Sequence, residues 1–244
     1  MYQMQTREQI EDIIKNGFVN DIFRMESALF LLREIGGRST DINAPQRGNY
    51  GELFFTIQRA LITEATLAIA RIYDKPSNRY PTRCIKGVFK HLITYANELP
   101  EIREPYQLVF SLKKRSVPNE LLSSVNHSPE KFPRLFSEYC DSELKQNNYS
   151  IAIEKLKTLR DKRIAHNENN FVDAPTWDAL TELLDFAKYV VGVLSWAYFS
   201  TAYTNNGEYI LTQDAKRPSY AMSRLLKKIY DEAYSPYSNV TGKN

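Results

Sequence analysis

Apolar residues recur three and four positions apart through most of this chain, the spacing of one face of an α-helix. From Arg7 to Ile35 the series Ile10, Ile13, Ile14, Phe18, Ile22, Met25, Leu29 and Leu32 predicts a long first helix, stopped at Gly36-Gly37. A polar loop with Pro45 and Gly48 follows. A second helix is predicted from about Tyr50 to Tyr73, with Leu53, Ile57, Leu61, Ala65, Ala68 and Ile72 on its inner stripe. Asp74-Lys75-Pro76-Ser77-Asn78 ends it, because Pro76 cannot continue a helix. Arg83 to Asn97 reads as a third helix, with His91 as a structural residue inside it.

Residues 98–133 are the least regular part, broken by Pro100, Pro105, Pro118, Pro129 and Pro133. Short helices such as Glu104 to Arg115 fit between the breaks, and His127 falls in a loop. A helix from about Phe132 to Lys145 leads through Gln146-Asn147-Asn148 to another over Ser150 to His166, which Asn167-Glu168-Asn169-Asn170 breaks. Thr176 is placed to cap a long helix whose stripe of Trp177, Leu180, Leu184, Ala187, Val191, Leu194 and Tyr198 reads as core. A turn at Asn205-Asn206-Gly207-Glu208 carries the one candidate strand pair, and a basic amphipathic helix over Ser219 to Tyr234 precedes a tail. No repeat or linker divides the chain. The expectation is one all-α domain over residues 1–244, a helical bundle of long antiparallel helices with an irregular helical insert. Its core covers about residues 7–200, and residues 201–244 add the turn, helix and tail. The proline-rich irregularity makes residues 98–149 a candidate specificity insert.

Composition adds limits. With 43% hydrophobic and 25% charged residues the chain falls in the range of soluble globular proteins, and nine glycines against sixteen tyrosines suit helices packed through aromatic faces. A net charge of +3 creates no global field for nucleic acid, so an anionic partner must be drawn by local clusters. Lys113-Lys114-Arg115 and Arg224-Lys227-Lys228 are two such clusters. Cys84 and Cys140 form no CxxC pair, which points to a reduced, cytoplasmic protein. The N-terminus lacks a signal-peptide layout, and the apolar stretch Tyr189 to Phe199 is short of the roughly 20 residues a bilayer requires, so no membrane association is expected. Nucleophile triads, glycine-rich phosphate loops and metal-ligand clusters are absent from the sequence, and no cofactor or metal is expected.

The chemistry concentrates in Leu159-Arg160-Asp161-Lys162-Arg163-Ile164-Ala165-His166-Asn167-Glu168. RNA brings its own nucleophile, the 2′-hydroxyl, so cutting it requires that a proton be moved and charge on the phosphoryl oxygens be stabilised. His166 titrates in the right range for the first task, and the planar fork of Arg160 suits the second. Asp161 would orient the arginine or an imidazole; as a lone carboxylate with no second acidic partner nearby it makes a poor magnesium site. Lys162 and Arg163, with Lys155 and Lys157, form a basic ridge for a phosphate backbone, and Asn167 is a further candidate RNA contact. On a regular α-helix Arg160 and His166 lie about 9 Å apart along the axis and about 120° apart around it. One chain therefore cannot clamp a phosphate between them, whereas two copies about a symmetry axis can.

Leu159-Arg160-Asp161, three residues, then Ala165-His166 resembles the motif of the HEPN superfamily of helical domains. Ala70-Arg71-Ile72-Tyr73-Asp74-Lys75-Pro76-Ser77 together with Leu159 to Glu168 resembles its AbiU-type abortive-infection group. The resemblance covers about residues 7–200. It implies an all-α bundle, a homodimer, and a metal-independent endoribonuclease of phage defence or a toxin, with catalysis on Arg160 and His166 and Asp161 in the polar position after the arginine. Arg71 and Asp74 are then candidates to support the site from the neighbouring helix; the plain alternative for Asp74 is a residue of a proline-containing turn. Asp161 stands where the superfamily often has Asn. Glu168 stands where toxins paired with nucleotidyltransferase antitoxins have Tyr, so that antitoxin is not expected. Two functions fit: a ribonuclease acting on RNA, or a helical domain without catalysis that binds RNA, a nucleotide or a protein partner.

Overall fold

The computed structural model describes residues 6–45, 48–77, 83–165 and 173–232. His166 and Asn167 lie outside them, and Arg163 is described by its backbone alone. The fold is all-α. Helices α1 (Thr6–Asp12) and α2 (Val19–Gly37) are joined by a π-helical turn, Ile13–Phe18, and followed by the single turn α3 (Ser39–Ile42). Then come α4 (Gly51–Ile72), α5 (Ile85–Thr94), α6 (Pro105–Leu112), α7 (Asn119–His127), α8 (Phe132–Leu144) and α9 (Asn147–Thr158). A second π turn, Leu159–Ala165, extends α9. Helix α10 (Trp177–Tyr198) and a short hairpin precede α11 (Thr212–Lys227), which runs into a third π turn, Lys228–Glu232. In the hairpin Thr204–Asn205 pairs with Glu208–Tyr209, and Asn206 and Gly207 take positive φ of 48° and 73°, the pair of left-handed residues that a two-residue turn matched to strand twist requires.

The chain forms two compact units. Residues 1–23 and 66–211 make the first; residues 24–65 and 212–244 make the second. In the first, α10 packs on α6 and α9, and α8 packs on α5, α7 and α9. Its core is aromatic: Phe132 stacks on Phe136, which meets Tyr189, which meets Phe186. The Arg115 guanidinium lies 5.0 Å from the ring centre of Phe186 and 4.9 Å from that of Tyr189, a cation–π placement, and its Nη1 donates to the Tyr149 hydroxyl. Leu108, Leu112, Phe132 and Phe136 are fully buried, so residues 98–149 supply much of this unit's core. The second unit packs Ile35, Ile42, Phe54, Leu226 and Tyr230 together. A bidentate pair from Arg38 to Asp231 borders that cluster, and the Thr212 hydroxyl donates to the buried Glu26 carboxylate.

Several sequence expectations are corrected. On α4 the inward position belongs to Phe54, and Leu53 is exposed, because successive residues turn by about 100° and Phe54 shares a face with Ile57 and Leu61. Trp177 is exposed, since it is the first residue of α10 and the core begins one turn later at Leu180. His127 is the last residue of α7, not a loop residue. The final helix starts at Thr212, before Ser219, and carries Pro218 inside it, with buried Ala215, Ser219 and Leu226 keeping helical spacing through the proline. Thr176 caps α10 through a hydrogen bond its hydroxyl accepts from the Ala179 N–H. Among the described residues, α4 is the one helix long and apolar enough to cross a membrane by length and composition, and 33% of its most apolar stretch is buried.

Candidate active site around Arg160

Helix α9 is held by Tyr149, Ala152 and Leu156, which are buried at helical spacing against the core. Past Thr158 the winding changes to the π form, with hydrogen bonds reaching five residues along the chain rather than four. The regular α-helical rise and angle therefore do not hold over Leu159–Ala165, and His166 lies outside the described residues. Such turns occur often at functional sites, and this one carries Arg160 and Asp161.

Two carboxylates hold the Arg160 guanidinium. Its Nε donates to Oδ1 of Asp161 at 2.7 Å, and its Nη1 lies 2.9 Å from Oδ2 of Asp74. The side chain is only 21% exposed. Hydrogen bonds to Asp161 first, and to Asp74 with them, push its pKa above the ordinary arginine value, so the group is cationic at every working pH. The expectation that Asp161 lacks an acidic neighbour is corrected: Asp74, distant in sequence, flanks the same arginine. The cation between them is the guanidinium.

Asp74 is placed by the end of α4. The buried Tyr73 hydroxyl donates to the Leu183 carbonyl of α10 at 2.6 Å, and Asp74 Oδ1 accepts the Lys75 N–H at 2.9 Å. The carboxylate thus divides its oxygens, one on its own turn and one on Arg160. Arg71 does not reach this group. Its Nε and Nη2 both donate to Oδ1 of the buried Asp21, at 2.9 and 2.6 Å. Lys162 is exposed. Lys155 pairs with Asp173 at 2.7 Å, whereas Lys157 lines a cavity of about 420 Å³ shared with Arg160 and Asp74, so the expected basic ridge splits between two faces of α9.

His91 lines a separate cavity of about 380 Å³ with Arg83, Lys90 and Asp12. Its ring stacks on Tyr95, and its buried Nδ1 has no hydrogen-bond partner among the described residues. Burial, and secondarily Lys90, push its pKa below the ordinary imidazole value. Arg83 is committed to Asp12, whose carboxyl it holds below the usual range.

No curated protein and no solved structure shows significant similarity to the chain. A family model described as AbiU2, of the HEPN type, matches residues 8–217, a span that contains Asp21, Arg71, Asp74, Arg160 and Asp161. The chain belongs to the AbiU2 family of HEPN proteins.

Proposed function

We propose that this protein is a metal-independent endoribonuclease that acts in the cytoplasm as a homodimer in abortive infection. One observation carries the reading: an arginine, largely withdrawn from solvent, is fixed on a π turn by Asp74 and Asp161. Among described residues it uses only Nε and Nη1, so the remaining donors of its fork are available for phosphoryl oxygens. Family membership supports the same reading.

In the reaction, His166 takes the proton of the 2′-hydroxyl, whose oxygen attacks the adjacent phosphorus. The P–O2′ bond forms as the P–O5′ bond breaks. Arg160 stabilises the charge on the non-bridging oxygens, and an imidazolium returns a proton to the departing O5′. The products are a 2′,3′-cyclic phosphate and a 5′-hydroxyl. Two protomers supply the pair of imidazoles that these opposite proton transfers use, and Lys162, Arg163 and Asn167 contact the flanking RNA.

The test is incubation with total RNA in excess EDTA, with light scattering on the same sample. Wild type is expected to cut as a dimer, and Arg160→Ala and His166→Ala to lose about 100-fold or more. Cutting that survives both substitutions overturns the assignment. A second reading, an RNA-binding module without catalysis, draws on the two carboxylates beside Arg160, which weaken its pull on a phosphate. Retention of RNA without cutting supports that reading.

A further inference from the structure

Of the two basic clusters in the sequence outside the Arg160 segment, the fold keeps one. In Lys113-Lys114-Arg115 the arginine is withdrawn against the rings of Phe186 and Tyr189, and Lys114 Nζ donates to the Asn206 carbonyl, so the three cations do not act together. The second cluster stays whole. Helix α11 buries Ala215, Ser219 and Leu226 and turns Arg217, Tyr220, Arg224 and Lys227 outward, at spacings of three and four residues. Arg217 to Lys227 covers about 15 Å along the axis. Arg217 meets Asp214 at 2.7 Å, and Lys216, on the flank, lies 5.4 Å from the ring centre of Phe30. Arg224, Lys227 and Lys228 are exposed and form no ion pair among the described residues. Tyr220, 50% exposed, and Leu225, 48% exposed, lie among them. All of these residues belong to the second unit.

Arg224 stands three and four residues before Lys227 and Lys228, positions at which like charges repel. The chain has 29 carboxylates for its 32 lysines and arginines, so this grouping is no shortage of acids. The outward surface of a single helix is convex. It offers its cations together to a plane rather than to a small ligand in a cleft. A bilayer with anionic headgroups is such a plane, with an apolar layer beneath. Long cationic side chains reach lipid phosphates while their stems lie along apolar surface, a tyrosine ring sits at headgroup level, and a leucine enters the acyl boundary. A nucleic-acid backbone would use the cations and has no use for Leu225. We infer that the outward face of α11 docks this protein on an anionic bilayer surface, with Arg224, Lys227 and Lys228 on lipid phosphates and Tyr220 and Leu225 between the headgroups. The helix lies along the surface and crosses nothing, so the length that a spanning segment requires does not apply. Its apolar side stays packed in the second unit's core through Leu226. The inference is independent of the ribonuclease reading.

The experiment is co-sedimentation of the full chain with sucrose-loaded vesicles, either of phosphatidylcholine alone or with about one third phosphatidylglycerol. Each unpaired cation near an anionic surface strengthens partitioning about fivefold. Wild type is therefore expected to bind the anionic vesicles at least about tenfold more tightly than the neutral ones, and to be released as salt rises from about 0.05 to 0.5 M. Lys228→Gln should weaken binding about fivefold, and Arg224→Glu with Lys228→Glu about 100-fold or more. Lys113→Glu, an exposed charge reversal in the first unit, should leave it unchanged. Circular dichroism on each variant separates these effects from unfolding, and the salt series requires no variant. Equal binding to neutral vesicles overturns the inference. So do binding that the α11 variants leave intact, a loss in Lys113→Glu as large as that in Arg224→Glu with Lys228→Glu, or no sedimentation at low salt. A 2′-deoxy oligonucleotide, which cannot be cut by 2′-hydroxyl attack, is titrated in parallel. If it binds more tightly than the anionic vesicles and loses that binding in the same α11 variants, the stripe belongs to nucleic acid and the inference falls. Because no arm reads cleavage, failure of the ribonuclease proposal leaves this result standing, and the converse holds.

Discussion

The Tyr73 hydroxyl donates to the Leu183 carbonyl across 110 positions of sequence, and this bond fastens the end of α4 to α10 one residue before Asp74. The hydroxyl is fully buried, and burial drives its pKa well above the ordinary tyrosine value. Tyr73→Phe removes the bond and keeps the ring. Its expected cost is about 0.5–1.5 kcal/mol in urea denaturation with an unchanged slope. If Asp74 depends on that anchor, RNA cleavage falls in the same variant. Unaltered stability would show that the carbonyl finds an equivalent partner.

Asp74 Oδ2 lies 2.9 Å from Arg160 Nη1, and on the proposed ribonuclease reading its role is to position that arginine. Asp74→Asn keeps the shape and removes the charge, so RNA cleavage is expected to fall about tenfold, chiefly in kcat. The pair is partly exposed, and such pairs contribute about 1 kcal/mol or less, so the thermal midpoint should barely move. A large loss of stability with normal cleavage would place Asp74 in the architecture instead.

Arg71 behaves oppositely. Its partner Asp21 is buried, and truncating the arginine strands that carboxylate. Arg71→Ala should destabilise the protein by about 1–3 kcal/mol, and adding Asp21→Asn should recover part of it. Cleavage per folded molecule is expected to stay normal. A double-mutant cycle in urea reads the coupling directly.

His91 gives a pH dependence whose sign is fixed by burial. Its folded-state pKa is below the ordinary imidazole value, so as pH falls through about 6.5 the unfolded chain takes up the proton first. Its contribution to stability is therefore complete above that pH and declines below it. Stability measured from pH 7.5 to 5 should fall, and His91→Phe should flatten that slope. Arg83, Lys90 and Asp12 border the same cavity, and the Asp12 carboxyl, held below the usual range by Arg83, stays ionised throughout this interval.

The Thr176 cap offers a local test. Thr176→Ala removes the acceptor for the Ala179 N–H and should cost about 1 kcal/mol, with no effect on RNA cleavage.

The helices and their order were legible because each buries a face repeated at helical spacing, a property of residues close in sequence. So were the NG hairpin, the Thr176 cap and the end of α4 at Asp74-Lys75-Pro76, all set by side chains acting on their own backbone. The Arg160-to-His166 segment and its family likeness also stood in the sequence. Other features depended on packing. Whether Leu53 or Phe54 turns inward, and how far the core reaches along α10 toward Trp177, follow from neighbours remote in the chain. The change from α to π winding at Leu159 is a change of backbone hydrogen bonding, and side-chain periodicity is blind to it. The two arginine partnerships were open for the same reason. Arg71 and Arg160 each have acidic residues near in sequence, yet one chooses Asp21 and the other adds Asp74, because an ion pair depends on distance in space. Local spacing determined the helices of this protein; only their packing determined which carboxylate each arginine meets.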